Sequence, residues 1–358
     1  MNTTDTNKKN ISLNDTDYYL PQELIAEKPV ATRGTSRLMA ISRNNSTIQN
    51  DIFTSLPSYF SKGDTIIFNN TRVLKARLLC KTPSGRDSEI LLIKRIDECH
   101  WKAMVKFSRK FKIGTKIKFQ DFIATIGERI DEMRIIEFDK AISYDDINRI
   151  GITPIPPYIA KKREDMHSEV YRDEDDIWYQ TVFAKYYGSV AAPTASLHFT
   201  EDIINNLKKL GVNIGYITLH IGPGTFKPID TSIEDFKIHY EWIDVPNKTI
   251  ELIKRTKNDG KKIIGVGTTV TRALETAAKD IQNINDLQAY TGDTNLFIKP
   301  GFDFKIIDIL ITNFHLPKST LLLLVYAFGG IEFLQEAYRK AIEDKYRFYS
   351  YGDVMIIS

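Results

Sequence analysis

The stretch Lys262-Ile-Ile-Gly-Val-Gly-Thr-Thr-Val-Thr-Arg-Ala-Leu-Glu-Thr-Ala-Ala278 sets the fold class. Lys262–Val266 is a short run of apolar, β-branched residues and reads as a buried strand. Gly267 ends it, and Thr271–Ala278 reads as a helix. A buried strand feeding a glycine turn and then a helix is the repeating step of a layered α/β sheet. Ligands of such sheets sit beyond the carboxyl ends of the strands. Gly267, Thr268 and Thr269 stand at such an end, and a glycine followed by hydroxyls and a helix is a good anion cradle. Arg272 can pair with Glu275 one turn on.

The same alternation continues on both sides. Toward the C-terminus, Phe304–Ile311 reads as a strand ending at Thr312-Asn313. Leu321–Phe328 reads as a buried strand or helix start, Glu332–Asp344 as a helix and Val354–Ile357 as a last strand. Toward the N-terminus, Asn247–Asp259 is helical. Glu201–Leu210 is an amphipathic helix closed by Gly211, and Val212–Leu219 is a strand running into Gly222. Ser36–Arg43 and Thr65–Phe68 are further strands, and Leu20-Pro21 opens a short helix. The expected fold class is α/β, with a layered, mostly parallel sheet.

Leu74–Phe138 has a different texture. Ala76–Cys80, Glu89–Lys94, Trp101–Lys106, Lys116–Phe119, Phe122–Gly127 and Met133–Glu137 are short and β-rich, with Pro83-Ser84-Gly85, Gly114 and Gly127 between them. Several short strands at close spacing predict a small β-barrel. The expected organisation is a discontinuous α/β domain of residues 16–73 and 153–358, with an inserted barrel of residues 74–152. The α/β pattern resumes after the proline-rich Thr153–Pro157.

The chain has 358 residues, enough for two domains with a sizeable core, and a net charge of +3. That balance neither demands nor excludes a nucleic acid. Cys80 and Cys99 form no redox or metal motif, so a reducing compartment, the cytoplasm, fits. Met1–Asp15 is rich in Asn, Thr and Asp, lacks the apolar centre of a signal peptide and reads as a disordered tail. The longest apolar run, Leu321–Phe328, is far short of a membrane span. Between Lys102 and Lys118 lie seven basic residues and no acid, with Phe107 and Phe111 interleaved. Such a stripe suits phosphate contact and base stacking, or is the solvated face of a small sheet.

Five constellations can carry chemistry. Gly188–Thr200 is crowded with small residues, with Pro193, Thr194 and His198 before an acidic helix start. It reads as a ligand turn or as a tight buried turn around a core histidine. Leu219–Phe226 contains His220, Gly222, Gly224 and Thr225. It is neither a dinucleotide fingerprint nor a P-loop. Ile238–Trp242 sets His239, Tyr240, Glu241 and Trp242 side by side, a base with a stacking surface or a mixed-face strand. Gly265–Glu275 is the anion cradle above. Thr312–Thr320, with Asn313, His315, Ser319 and Thr320, is a polar loop between apolar runs. None of the histidines in these pieces has a second metal ligand at i+2 to i+4, so no metal is expected. No nucleophile elbow is present.

Taken together and in order, these segments resemble the S-adenosylmethionine:tRNA ribosyltransferase-isomerases of queuosine biosynthesis. The resemblance runs from about Tyr18 to Ile357. It includes Arg33-x-x-Ser36-Arg37-Leu38, Phe68-Asn69-Asn70-Thr71-Arg72-Val73, Pro154-x-Pro156-Pro157-Tyr158-Ile159 and Tyr179-Gln180-Thr181-Val182. It continues through Ala191–Ala195 with Leu197-His198-Phe199, Gly224-Thr225-Phe226, Val266–Thr269, Thr312–Leu321 and Lys345–Gly352. It implies an α/β fold with an inserted barrel. It also implies that S-adenosylmethionine is a ribosyl donor, consumed as a substrate, with no other cofactor. The acceptor it implies is tRNA bearing 7-aminomethyl-7-deazaguanine at the wobble position. The products would be epoxyqueuosine-tRNA, adenine and methionine. A base must take a C5′ proton beside the sulfonium, for which His198, His220, His239, Glu241 and His315 are candidates. Substrate contacts are expected from Arg33, Arg37, Asn69, Thr71, Arg72, Pro193, Thr194, Gly224, Thr225, Phe226, Gly267, Thr268, Thr269, Asn313, Ser319 and Thr320. Lys106, Arg109, Lys110 and Lys112 are expected to meet tRNA, and the chain to act as a soluble monomer.

The chain departs from the family's pattern at Ser196, where glycine is usual, and at Asn70 and Asn295, where aspartate is common. Val270-Thr271 also differs from common serine-containing forms. Two rival readings are an S-adenosylmethionine-dependent tRNA methyltransferase and a non-catalytic tRNA-binding module. The first wants a glycine-rich loop after the first strand and an acid ending the second, and no such N-terminal pattern is present.

Overall fold

The computed structural model describes residues 11–226 and 228–358, with only the backbone described at Phe226. Its strands are β1 Arg37–Ser42, β2 Thr47–Ile52, β3 Thr65–Asn69, β4 Thr71–Val73, β5 Arg77–Lys81, β6 Asp87–Arg95, β7 His100–Val105, β8 Lys116–Phe119, β9 Phe122–Ile130 and β10 Met133–Phe138. They continue with β11 Tyr186–Ser189, β12 Asn213–Leu219, β13 Glu241–Val245, β14 Ile263–Val266, β15 Tyr290–Thr294, β16 Ile309–Asn313 and β17 Val354–Ile357.

Nine strands form one sheet in the order β15-β13-β12-β3-β14-β16-β17-β1-β2. Its centre, β12-β3-β14-β16, is parallel, as is β17 on β1. The pairs β15–β13, β13–β12, β16–β17 and β1–β2 are antiparallel. The sheet is therefore mixed, which corrects the expectation of a mostly parallel one. Two physical causes account for this. The edge strands β2 and β15 are polar and half-exposed, so no apolar run announces them. After β16 the helices Thr320–Gly329 and Ile331–Glu343 turn back on each other by 115°, which returns the chain to the end it left. β17 thus enters against β16.

Side chains alternate across the sheet with the period of two that strands impose. Ile67, Ile263 and Leu310 join the larger core, against Asn247–Asn258, Thr268–Ala277 and the C-terminal helix pair. Ile66, Phe68, Ile264, Val266 and Ile311 face the second core, with Phe53, Phe199 and the helix Glu201–Leu210. The helix Thr268–Ala277 begins at Thr268 rather than Thr271, directly on Gly267. The strand expected over Phe304–Ile311 is Ile309–Asn313.

A second, six-stranded antiparallel sheet is barrel-like, with order β5-β6-β7-β10-β9-β8. It has its own core, including Leu78, Ile90, Leu92, Trp101, Ile126 and Ile136. β4 and β11 form a short parallel ribbon. Of the expected tail, residues 1–10 lie outside the described residues. Leu13–Thr16 is a 3-10 turn capped by Ser12 and Asp15, and Gln335 donates to the Asp15 carbonyl at 2.9 Å. The ordered chain therefore starts ahead of residue 16. Among the described residues no single helix is long and apolar enough to cross a membrane.

Candidate active site

Two openings meet at the carboxyl ends of the central strands. The narrow cleft, about 70 Å³, is bordered by Pro193, Thr194, Thr225, Gly267, Thr268, Thr269, Asn313, His315 and Ser319. The wide cavity, about 570 Å³, is bordered by Gly224, Thr225, His239, Glu241 and Thr320. Thr225 and Leu321 border both. The wide cavity also takes Ile93, Met104 and Met133 from the barrel-like sheet, so both sheets wall it. The narrow cleft belongs to the α/β sheet alone.

The histidines differ sharply. His198 borders neither opening. Its Nε2 accepts from Asn313 Nδ2 at 3.1 Å, which leaves Nδ1–H to donate to Ser36 Oγ at 2.8 Å. Burial, with Arg347 and Arg33 nearby, pulls its pKa down to about 3. It is a neutral, doubly bonded core histidine, and the geometry gives it no reacting proton. His220 also borders neither opening. Its Nδ1 meets Thr71 Oγ1 at 2.8 Å, its ring stacks on Trp242 at 5.1 Å, and burial lowers its pKa to about 4. A Cβ at Gly188 would stand 2.6 Å from its Nε2, so the glycine makes room for the ring.

His315 borders the narrow cleft. Its backbone N–H donates to Tyr338 Oη at 3.0 Å, its carbonyl accepts from Tyr18 Oη, and Nε2 meets Thr312 Oγ1 at 2.8 Å. Burial lowers its pKa to about 3, so the imidazole is neutral near pH 7. Nδ1 has no hydrogen bond among the described residues. His239 is exposed on the rim of the wide cavity and packs against Gly224, where no Cβ would fit.

Glu241 is buried and committed. Oε1 accepts from the Gly222 N–H at 3.0 Å and Thr225 Oγ1 at 3.1 Å, and Oε2 pairs with Arg272 Nη1. It fixes the glycine loop between the openings. The pairing of Arg272 with Glu275 that their spacing allows is not made: Glu275 instead accepts from the backbone N–H groups of Lys305, Ile306 and Ile307. Cross-strand geometry placed β13 beside the helix, which spacing along one helix could not foretell.

Asn69 also holds structure. Its Oδ1 accepts from the N–H groups of Thr71 and Leu219, and its Nδ2 donates to the Leu219 carbonyl and toward Thr269 Oγ1. Arg33 donates to the Ile177 carbonyl, Arg37 to that of Asp344, and Arg72 lies over the Tyr187 ring. None of these arginines borders either opening. Phe226 belongs to the 3-10 turn Pro223–Phe226, and its side chain lies outside the described residues.

The openings include residues not singled out as contacts. Tyr158 and Ser350, hydrogen-bonded to each other, border the narrow cleft. Both lie within motifs that carry the family resemblance, so a signal existed. Ile93, Met104 and Met133 gave none, because an apolar strand residue facing a cavity looks like one facing a core. Lys106, Arg109, Lys110 and Lys112 are exposed and unpaired with any acid among the described residues. Phe111 is turned into the barrel core, leaving Phe107, under the Arg86 guanidinium at 4.0 Å, as the aromatic on that face. Of the departures, Asn70 accepts from Thr218 Oγ1 at 2.7 Å, while Ser196 Oγ is buried without a partner among the described residues.

A cleft of hydroxyl, amide and small side chains at parallel strand ends, opening into a cavity walled by a second sheet, is the kind of site that α/β enzymes carry. The chain belongs to the family described as queuosine biosynthesis protein, which it matches over residues 13–357. It is 45% identical to the S-adenosylmethionine:tRNA ribosyltransferase-isomerase of Halothermothrix orenii, across 95% of this chain and 98% of that one. Identity to the protein of the same name from Aquifex aeolicus is 42%, with coverage of 95% and 98%. The solved S-adenosylmethionine tRNA ribosyltransferase of Thermotoga maritima is similar in fold, with TM-score 0.55 and 35% identity over 96% of this chain and 100% of that one.

Proposed function

We propose that this chain transfers the ribosyl moiety of S-adenosylmethionine to 7-aminomethyl-7-deazaguanine at the wobble position of tRNA and isomerises it. The products are epoxyqueuosine-tRNA, adenine and methionine. The observation that carries this reading is the near-full-length family match, with the two openings joined at Thr225 and Leu321. A two-substrate reaction needs such a junction. S-adenosylmethionine is a substrate here, and no further cofactor is required.

The chemistry assigns work to particular side chains. The sulfonium acidifies the C5′ hydrogens, and a neutral imidazole can take one. His315 in the narrow cleft and His239 on the rim of the wide cavity are the two histidines that border the openings. Adenine leaves from C1′ with a proton, the neutral amine of the modified base attacks, and the C5′–S bond breaks to free methionine. Thr194, Thr225, Thr268, Thr269 and Ser319 offer hydroxyls to the donor. Glu241 acts by positioning the Gly222–Thr225 loop. Lys106, Arg109, Lys110 and Lys112 meet tRNA phosphates from the barrel-like sheet. On this reading residues 74–152 form an inserted tRNA-facing domain on a catalytic domain of 16–73 and 153–358. The enzyme works as a monomer in the cytoplasm.

Chromatography of a reaction with both substrates tests this. Adenine and methionine should appear in equal amounts and only when the modified tRNA is present. S-adenosylhomocysteine in their place would overturn the reading in favour of methyl transfer. Binding of tRNA with no turnover would favour a binding module.

A further inference from the structure

The two openings differ in what they can hold. The cleft of about 70 Å³ is the smaller and suits the head of an amino acid, whereas the cavity of about 570 Å³ is the roomier and suits a nucleoside. On the wall of the narrow cleft, two kinds of polar group want a partner. The helix Thr268–Ala277 starts on Gly267, at φ +90°, with no side-chain cap. The N–H groups of Thr268 and Thr269 therefore carry no hydrogen bond among the described residues, and they sit at the positive end of a ten-residue helix.

One strand over, Asn313 is only 2% exposed. Its Nδ2 is directed to His198 Nε2 and to the carbonyls of Tyr349 at 3.1 Å and Asp353 at 3.3 Å. Two carbonyl acceptors fix the amide orientation, because a flipped amide would set oxygen against oxygen. Oδ1 then points away from them and has no donor among the described residues. β14 and β16 are parallel neighbours with Val266 opposite Ile311, and the Gly267 N–H bonds the Ile311 carbonyl at 2.7 Å. The turn at Gly267–Thr268 thus stands beside Thr312–Asn313, about 5 Å away, one strand spacing. Buried donors on one strand end and a buried acceptor on the next complement a zwitterion, with its carboxylate on the helix N-terminus and its ammonium on the amide oxygen.

We infer that the narrow cleft is an α-amino-acid subsite that takes the methionyl end of S-adenosylmethionine, carboxylate on Thr268 and Thr269 N–H and ammonium on Asn313 Oδ1. This rests on the function proposed above and adds a direction to it. The sulfonium and ribose pass Thr225 and Leu321 into the wide cavity, where the nucleoside meets the incoming base. Methionine is the product held in the narrow cleft.

The test compares two ligands on the full chain, S-adenosyl-L-homocysteine and its carboxamide, by titration calorimetry. Wild type should bind the carboxylate form about tenfold or more tightly, the worth of one or two charge-assisted hydrogen bonds. Proline is tolerated at the first position of a helix, so Thr268→Pro deletes one N–H while keeping the helix. It should shrink that preference to about threefold or less, whereas Thr268→Ala, which deletes only the hydroxyl, should keep it. tRNA affinity should stay within about twofold in both variants. A wild type blind to the carboxylate, or a Thr268→Pro protein that keeps the full preference, overturns the inference. If adenine release persists in either case, the function stands and only the subsite falls. If wild type neither binds the adenosyl compounds nor releases adenine, both fall. The wild-type comparison decides the matter even if Thr268→Pro fails to fold.

Discussion

His198 and His315 are both buried, and both use a ring nitrogen on a neighbouring side chain, yet only His315 borders an opening. His198→Ala strands Ser36 Oγ, takes one of three acceptors from Asn313 Nδ2, and should cost on the order of 1–3 kcal/mol. Calorimetry should show a lower Tm, while kcat of the folded fraction stays within about threefold of wild type. His315→Ala should lower kcat about 100-fold or more, with the KM for tRNA within about twofold.

The two residues also give stability a pH dependence of known sign. Burial lowers each from 6.5 to about 3, so the unfolded chain takes up protons that the folded chain refuses. Their contribution is complete above about pH 6.5 and is lost as pH falls toward 3, at about 1.4 kcal/mol per pH unit for each. Thermal melts from pH 7.5 to 5 should show Tm falling only below about pH 6.5, and His198→Gln should flatten the slope. The sequence revealed that these histidines lie in polar, glycine-rich pieces. It could not reveal that Ser36 and Asn313 close both sides of His198, because those partners come from distant strands.

Single elements carry their own tests. Ser319 caps the helix Thr320–Gly329, accepting from the Leu322 N–H at 3.2 Å and donating to the Leu316 carbonyl at 2.7 Å. Ser319→Ala should destabilise by about 1 kcal/mol, read by urea melts. Arg163, fully buried, clamps Asp175 with two hydrogen bonds at 2.6 and 2.8 Å. Asp175→Asn takes away the bidentate carboxylate, leaves Glu27 Oε2 at 3.4 Å as the guanidinium's remaining acidic partner, and should cost about 3 kcal/mol. On the barrel-like sheet, the turn Ser108–Lys110 presents Arg109 and Lys110 to solvent. Changing Arg109, Lys110 and Lys112 to Gln should reduce the slope of log K against log salt for tRNA by about 2–3, because each phosphate contact contributes about 0.7–0.9. An unchanged slope would make this turn an ordinary solvated face.

The whole molecule was only partly legible. The short β-rich segments of residues 74–138 matched β5 to β10 closely, because alternation and turn residues act locally. The central strands β3, β12, β14 and β16 were equally plain. The antiparallel partners β2 and β15 were missed, and β13 was met only by the mixed-face strand reading of Ile238–Trp242, because strand pairing and direction depend on the helices that return the chain. The cavity between the sheets followed from neither. It exists because the barrel-like sheet brings Ile93, Met104 and Met133 opposite Gly224, His239 and Glu241. On the proposed function, that juxtaposition holds the ribosyl donor on one sheet and brings the tRNA base from the side of the other.

The most direct measurement uses S-adenosylmethionine labelled separately in the methyl group and in the ribose, incubated with modified tRNA and followed by mass spectrometry. Methyl label should appear in free methionine and ribose label in tRNA, with adenine released in equal amount. Methyl label in tRNA, with the ribose label retained in S-adenosylhomocysteine, would contradict the proposed function.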